Sequence, residues 1–257
     1  MRIVVPVKQL PDLVEDLELD SSGDDIDREF LKFVPNEWDE QALEEALLIK
    51  EAVGAEVVVV GLDDPDIDQN LYTALARGAD RAVKLTGTPE GWLPTRQRAA
   101  VLAEWLAGQE VDLVLTGVQA ADDLDGQLAG LLAARLGWPH AAVVVGVEPG
   151  EGTVTVAQEL GGGVTVESVV GLPAVIGVQT ARATPRYAPI TRIRQAMQAG
   201  GLEEVEVAVA AGWPEGMTLR RLYPPVAAGH AEMLEGSPAE VAERIVEILR
   251  NKGLVKA

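Results

Sequence analysis

The sequence predicts an α/β protein: a mostly parallel, twisted sheet with helices on both faces. Three observations carry that prediction. Apolar runs alternate with helix-like stretches through about the first two thirds of the chain. The runs are rich in valine and other β-branched residues, as strands buried on both faces require. The connections between them are short, as in strand–helix–strand units.

The strands expected are "RIVVPVK" (2–8), "AEVVVVGL" (55–62), "DRAVKLT" (80–86), "DLVLTGV" (112–118) and "PAVIGVQT" (173–180). Between them, apolar residues at three- and four-residue spacing predict helices near 37–53, 66–78, 94–108 and 125–137. Two regions break the alternation. Residues 13–34 read as an excursion, with alternating "LELD", a Ser-Ser-Gly turn and another short extended piece. Residues 140–175 read as β-hairpins turning at Pro-Gly-Glu-Gly and Gly-Gly-Gly, an antiparallel flap on the parallel sheet. After Thr180 the chain becomes Arg-rich, then "EEVEVAVAAGWPEG" offers a possible strand and turn. The closing helix, "SPAEVAERIVEILRNKGL" (237–254), opens on a capping box of Ser237 and Glu240 with Pro238 first in the helix. Val241, Ile245, Ile248 and Leu249 give it one apolar stripe. The expected division is an α/β domain over 1–180, with its flap at about 140–172, and an arm and helix over 181–257.

The bulk composition removes whole classes of function. Forty-seven per cent of residues are apolar and 4% aromatic, enough for a core of Val, Leu, Ala and Ile. A net charge of −20 repels nucleic acid and anionic membrane surfaces. The absence of cysteine excludes disulfides, thiolate catalysis and Cys-ligated metal centres. Scarce asparagine beside plentiful Pro, Glu, Arg and Leu hints at a thermophilic source. No apolar run reaches membrane-spanning length, and a strand at the first residues leaves no room for a signal peptide, so a cytoplasmic protein is expected.

Motif chemistry is equally sparse. Four serines include none in a Gly-x-Ser-x-Gly elbow, and the two histidines, His140 and His230, lack metal-ligand spacing. Neither a Gly-x-Gly-x-x-Gly after the first strand nor a Walker A sequence is present. "GDDIDRE" lacks the alternating ligands and terminal glutamate of a calcium loop.

What remains is the carboxyl edge of the sheet, where open α/β sheets bind ligands. Three segments meet there: "VPVKQLPD", "PNEWDEQALEEA" with Asn36 as N-cap and Asp39 and Glu40 in the first turn, and "GVQAADDLDGQLAG". In the last, Asp122, Asp123 and Asp125 gather at a helix entrance, a position that favours an anion without help from arginine or lysine. Gly126 allows close backbone approach, and Gln119 and Asp122 are placed to bind a ribose or base edge. On the residues alone three readings stay open: a solvated cap, a divalent-metal site and a nucleotide cradle.

Taken together, the motifs resemble the beta subunit of electron transfer flavoproteins, from Met1 to about Met197. "VPVKQLPD" is similar to the family's Val-Ala-Val-Lys-x-x-x-Asp, and "NEWDEQALEEALLIKE" to its Asn-Pro-aromatic-x-Glu helix. "TALARGADRAV", "DLVLTGVQAADDLDGQLAGLLAARLGWP" and "LPAVIGVQTARATPRY" resemble three further family motifs in the same order. The resemblance implies an adenine-nucleotide-binding, Rossmann-like domain in a heterodimer. It implies a structural AMP in this chain and a redox FAD held mainly by the alpha subunit. It also implies electrons arriving from flavin dehydrogenases such as acyl-CoA dehydrogenases and leaving towards a quinone oxidoreductase.

By that resemblance the AMP contacts fall on Pro6, Asn36, Glu37, Trp38, Asp39 and Leu62, and on the loop Gly117, Val118, Gln119, Ala120, Asp122, Asp123, Asp125, Gly126, Gln127 and Leu128. Leu13 takes the place of an aromatic residue near the partner's flavin. Arg182, Pro185, Arg186 and Tyr187 match the segment that meets the dehydrogenase, with Arg182 where an anchoring leucine is common. The family's Asp-Asp-Asp-x-Asn-Gln-Thr-Gly is here Asp-Asp-Leu-Asp-Gly-Gln-Leu-Ala, so phosphate binding would rest on the amides of Gly126, Gln127 and Leu128. Bifurcating members hold a second FAD in this pocket, which Gly126 permits. Two other readings are a Mg-dependent adenylate-transferring enzyme and a nucleotide sensor resembling universal stress proteins; the Gly-rich phosphate loops of both are missing.

Overall fold

Alternation along the first strand sets the layers. In β1 (Arg2–Val7), Ile3, Val5 and Val7 face one side and Val4 the other, and both sides are buried. The structure, a computed structural model, describes residues 1–14, 16–29, 31–89, 92–123, 125–207, 220–224, 231 and 233–255. Two antiparallel pieces, β2 (Gln9–Pro11) and β3 (Phe33–Pro35), bracket the excursion, within which Leu19 bridges Ile26. The chain then alternates α1 (Glu37–Val53), β4 (Glu56–Leu62), α2 (Ile67–Arg77), β5 (Arg81–Thr86), α3 (Thr95–Ala107), β6 (Leu113–Gly117) and α4 (Leu128–Leu136). Then follow β7 (His140–Pro149), β8 (Thr153–Glu159), β9 (Thr165–Gly171), β10 (Ala174–Val178), α5 (Ile190–Ala199), β11 (Leu202–Glu206) and α6 (Pro238–Asn251).

Among the described residues the main sheet has nine strands in the order β11-β5-β4-β1-β6-β10-β7-β8-β9. Pairing is parallel from β11 to β7 and antiparallel through β8 and β9. One apolar layer joins α1 and α2 to the sheet through Leu43, Leu47, Ile67 and Leu71. The other joins α3 and α4 through Leu102, Leu106 and Leu132. From β1 the chain steps one way to β4 and β5, then the other way to β6 and β10. The direction of winding therefore reverses between β1 and β6, which opens a crevice at their carboxyl ends.

The fold class is the one expected, and the antiparallel hairpins expected at about 140–172 are present, continuing the main sheet where β7 pairs with β10. The α/β body also runs past Thr180: β11 pairs with β5, and the compact units divide as Met1–Leu222 and Tyr223–Ala257. Helix α4 begins three residues later than expected, because Gly126 has φ +59° and Asp125 Oδ1 accepts the Gln127 amide at 3.0 Å. Asn36 stands at the N-cap of α1 but makes no side-chain cap; its amide reaches elsewhere. In α6 the expected capping box is present between Ser237 and Glu240, which holds the Glu240 carboxyl below its ordinary range. The turn expected at 211–216, and His230, lie outside the described residues.

Candidate functional site

The crevice between β1 and β6 is closed from below by one side chain. Asp39, in the first turn of α1, is buried; its Oδ2 accepts the Lys8 amide at 2.9 Å and its Oδ1 the Gly117 amide at 3.2 Å. Gly117 must lack a side chain, since a Cβ there would lie 2.5 Å from Asp39 Oδ1 and 2.8 Å from the Trp38 carbonyl carbon. Burial pushes the Asp39 carboxyl up to about 7, against the pull of its hydrogen bonds with Asn36, Gly117 and Lys8 and of the Lys8 charge. Asp39 thus braces the backbone rather than serving the helix dipole from solvent.

Beside it, Asn36 Nδ2 donates to the Gln119 carbonyl at 2.9 Å, tying α1 to the loop after β6. Asn36 is 1% exposed, and its Oδ1 has no hydrogen-bond partner in the protein. An orphaned buried acceptor of this kind invites a donor from a ligand or water.

The carboxylates of the loop are not free. Lys8 Nζ meets Asp122 Oδ1 at 2.5 Å and Asp123 Oδ2 at 3.3 Å, and Thr95 Oγ1 donates to Asp123 at 3.4 Å. Asp123 Oδ1 also accepts the Ala120 amide at 3.1 Å, and Asp125 caps its own turn. Among the described residues no cluster of acids or histidines is arranged for a metal ion. Two of the three carboxylates of the Mg²⁺ reading, Asp122 and Asp123, are thus paired with Lys8.

Pro6, Asn36, Asp39, Leu62, Gly117, Gln119, Ala120, Asp123, Asp125, Gln127 and Leu128 line one cavity of about 30 Å³. Glu37, Trp38, Val118, Asp122 and Gly126 adjoin it without lining it. Sequence reasoning missed Val7, Lys8, Thr95, Arg98 and Leu102 in the same lining. Two cations, Lys8 and Arg98, thus stand where an anion was expected to need neither arginine nor lysine. Lys8 directly follows β1, and Arg98 lies in the first turn of α3, held by Asp64 at 2.9 Å. The signal was topological: the residue after a strand and the first turn of a following helix reach the same edge of the sheet. Of the three amides expected to hold a phosphate, that of Gln127 is taken by Asp125 Oδ1.

A second cavity of about 300 Å³ adjoins the first, sharing Lys8 and Arg98 and lined also by Asp122, Leu13, Phe33 and Trp92. Leu13 itself is mostly exposed. The donor set of the small cavity suits a nucleotide: two cations, helix-end amides and an unpaired acceptor. Its volume suits a water molecule only.

The remaining expected residues form a strap on α1. Glu45 Oε2 accepts the Arg182 amide at 3.0 Å and its Oε1 the Arg182 Nε at 2.8 Å. Glu44 likewise takes the Arg186 amide at 2.9 Å and its guanidinium, which also reaches Glu51 at 2.6 Å. These bonds hold the Arg186 guanidinium above its ordinary range and the Glu51 carboxyl below its own. Arg182 and Arg186 therefore turn inward, while Tyr187 points to solvent at 77% exposure.

The family model for the electron transfer flavoprotein domain matches residues 26–211. The electron transfer flavoprotein subunit beta of Methylophilus methylotrophus is 36% identical over 97% of this chain and 98% of that protein. The subunit beta of Syntrophomonas wolfei is 32% identical over 98% of this chain and 96% of its own length. A mitochondrial subunit beta from Arabidopsis thaliana is 35% identical over 76% and 78%. Matched by that family model and aligned nearly end to end with the first two of these relatives, the chain belongs to the electron transfer flavoprotein family, as a beta subunit.

Proposed function

We propose that the chain is the half of a heterodimeric electron carrier that has no catalytic residues of its own and holds a structural AMP in the β1–β6 crevice. The observation that carries this is the convergence, at the point where the winding reverses, of Lys8, Asn36 and the opening of α4 around one cavity. In this reading the first-turn amides of α4 and Lys8 face the phosphate, and the free Asn36 Oδ1 accepts from the nucleoside. Admission of AMP requires the 119–127 loop to move outward, with the Lys8 contacts to Asp122 and Asp123 released. FAD, when bound mainly in the alpha subunit, supplies the redox chemistry; this chain's part is to bind its nucleotide and shield the flavin near Leu13.

Electrons would arrive from flavin dehydrogenases, among them the acyl-CoA dehydrogenases of fatty acid β-oxidation, through the strap that ends at Tyr187. They would leave towards a membrane quinone oxidoreductase. No helix among the described residues is long and apolar enough to cross a membrane, and a cytoplasmic setting fits this reading. A second reading, a bifurcating type with FAD in place of AMP, is favoured by the adjoining cavity of about 300 Å³.

The test is to release the bound small molecules from the purified heterodimer by heat and identify them by mass. One FAD and one AMP per dimer is the expected result. Two FADs would assign the bifurcating type, and no nucleotide beyond one FAD would remove the site.

A further inference from the structure

β1 and β6 pair side by side at Ile3–Leu113 and Val4–Val114, and the crevice lies beyond those pairs. There the carboxylate of Asp39 takes the place of the missing ladder, one oxygen on the Lys8 amide and the other on the Gly117 amide. Both oxygens face main-chain donors belonging to the two walls of the cleft, so the group acts through the backbone and not by gripping a ligand. The side chain is 6% exposed, and the absent Cβ of Gly117 leaves the space it needs.

The charges that face Asp39 are few. From the residue after β1 comes the Lys8 ammonium, itself bound to Asp122 and Asp123 of the loop after β6. From α1 comes the uncharged Asn36; Glu40, one residue on, is paired with Arg77. From α3 come Thr95 and Arg98, the latter held by Asp64. A phosphate entering above this floor adds negative charge beside a buried carboxyl and draws Lys8 away from its present partners.

We infer that Asp39 is a positioning residue that sets the gap between the ends of β1 and β6 and couples nucleotide binding to uptake of a proton. The inference rests on the nucleotide reading above. Burial has already brought the carboxyl to about 7, so the added like charge acts on a group poised to change state near neutrality.

The test uses the full chain in its heterodimer, dialysed free of exchangeable nucleotide. AMP is titrated by calorimetry from pH 6 to pH 8, in buffers of differing ionisation enthalpy. The expected result is proton uptake on binding and a roughly three- to tenfold weaker Kd across that range. Adenosine, which lacks the phosphate, should show neither effect, which separates Asp39 from titration of the nucleoside. Asp39→Asn should still bind AMP, more weakly, with most of the pH dependence gone; any residue left is the phosphate's own ionisation. Should Asp39→Asn fail to fold, proton counting on the unaltered protein decides alone. Uptake no greater than the phosphate accounts for overturns this inference while leaving the nucleotide reading intact. No AMP binding at all overturns both.

Discussion

Lys8 and Asp122 stand 114 residues apart in the chain, and their ammonium and carboxylate meet at 2.5 Å across the mouth of the cleft. The Lys8 side chain is 9% exposed, so the contact is intermediate between a surface pair and a buried one. Lys8→Met removes the partner of two carboxylates at once. It should destabilise the protein by about 2 kcal/mol, between the costs typical of exposed and buried pairs. Urea unfolding measures this, and Asp122→Asn in the Lys8→Met background should recover part of the loss. Strict additivity of the two would mean that the pair carries no interaction.

Gly117 and Gly130 predict opposite responses to alanine. At Gly117 the new methyl meets Asp39 Oδ1 and the backbone of Trp38 within 3 Å, a clash that should cost about 2–3 kcal/mol. At Gly130, inside α4, the nearest atom is His140 Nε2 at 3.7 Å, so alanine should add about 0.5–1 kcal/mol by restricting the unfolded chain. Melting curves of the two variants decide it; matching shifts would contradict the packing described.

Glu45 is fully buried and accepts the amides of Val147 and Arg182 as well as the Arg182 side chain. Glu45→Ala strands these donors and should cost about 3 kcal/mol or more. Glu51, exposed at the end of the Arg186 pair, should tolerate alanine with little change. A mild effect at position 45 would show that the strap holds by other means.

Asp39 also sets a pH dependence of stability. Folding raises its carboxyl from 3.8 to about 7, mainly through burial, so the neutral form is the one the fold prefers. That contribution is complete below pH 4 and is lost as pH rises through 7. From this group alone the unfolding free energy should fall by up to about 1.4 kcal/mol per pH unit within that window. Asp39→Asn should flatten the slope. Unfolding titrations at pH 5, 6, 7 and 8 supply the comparison, and an unchanged slope would reassign the titration to another group.

Periodicity and turn chemistry were enough to place β1, β4, β5, β6, β10 and α1 to α3 within a residue or two. What they leave open is pairing: only the strand order sets the hairpin after His140 beside β10, and β11 beside β5. Residues of both segments that the resemblance names line the cavity, and so do Lys8 and Arg98, which it does not name. A cation just after a strand or in a first turn carries no local mark of where it points. On the residues alone Asp39 reads as a helix-dipole carboxylate, and by resemblance as a nucleotide contact. Only the placement of β1 beside β6 reveals it as a bracket between them.

The central position of β1 has a consequence for how the chain is made. Its two neighbours lie at Glu56–Leu62 and Leu113–Gly117, so the segment Arg2–Val7 waits, apolar and half-paired, until β6 has left the ribosome. Such long-range closure slows folding and leaves a sticky nascent strand exposed. Synthesis at reduced temperature, or with chaperones to cover that segment, is the condition under which the intact sheet should be recovered in best yield.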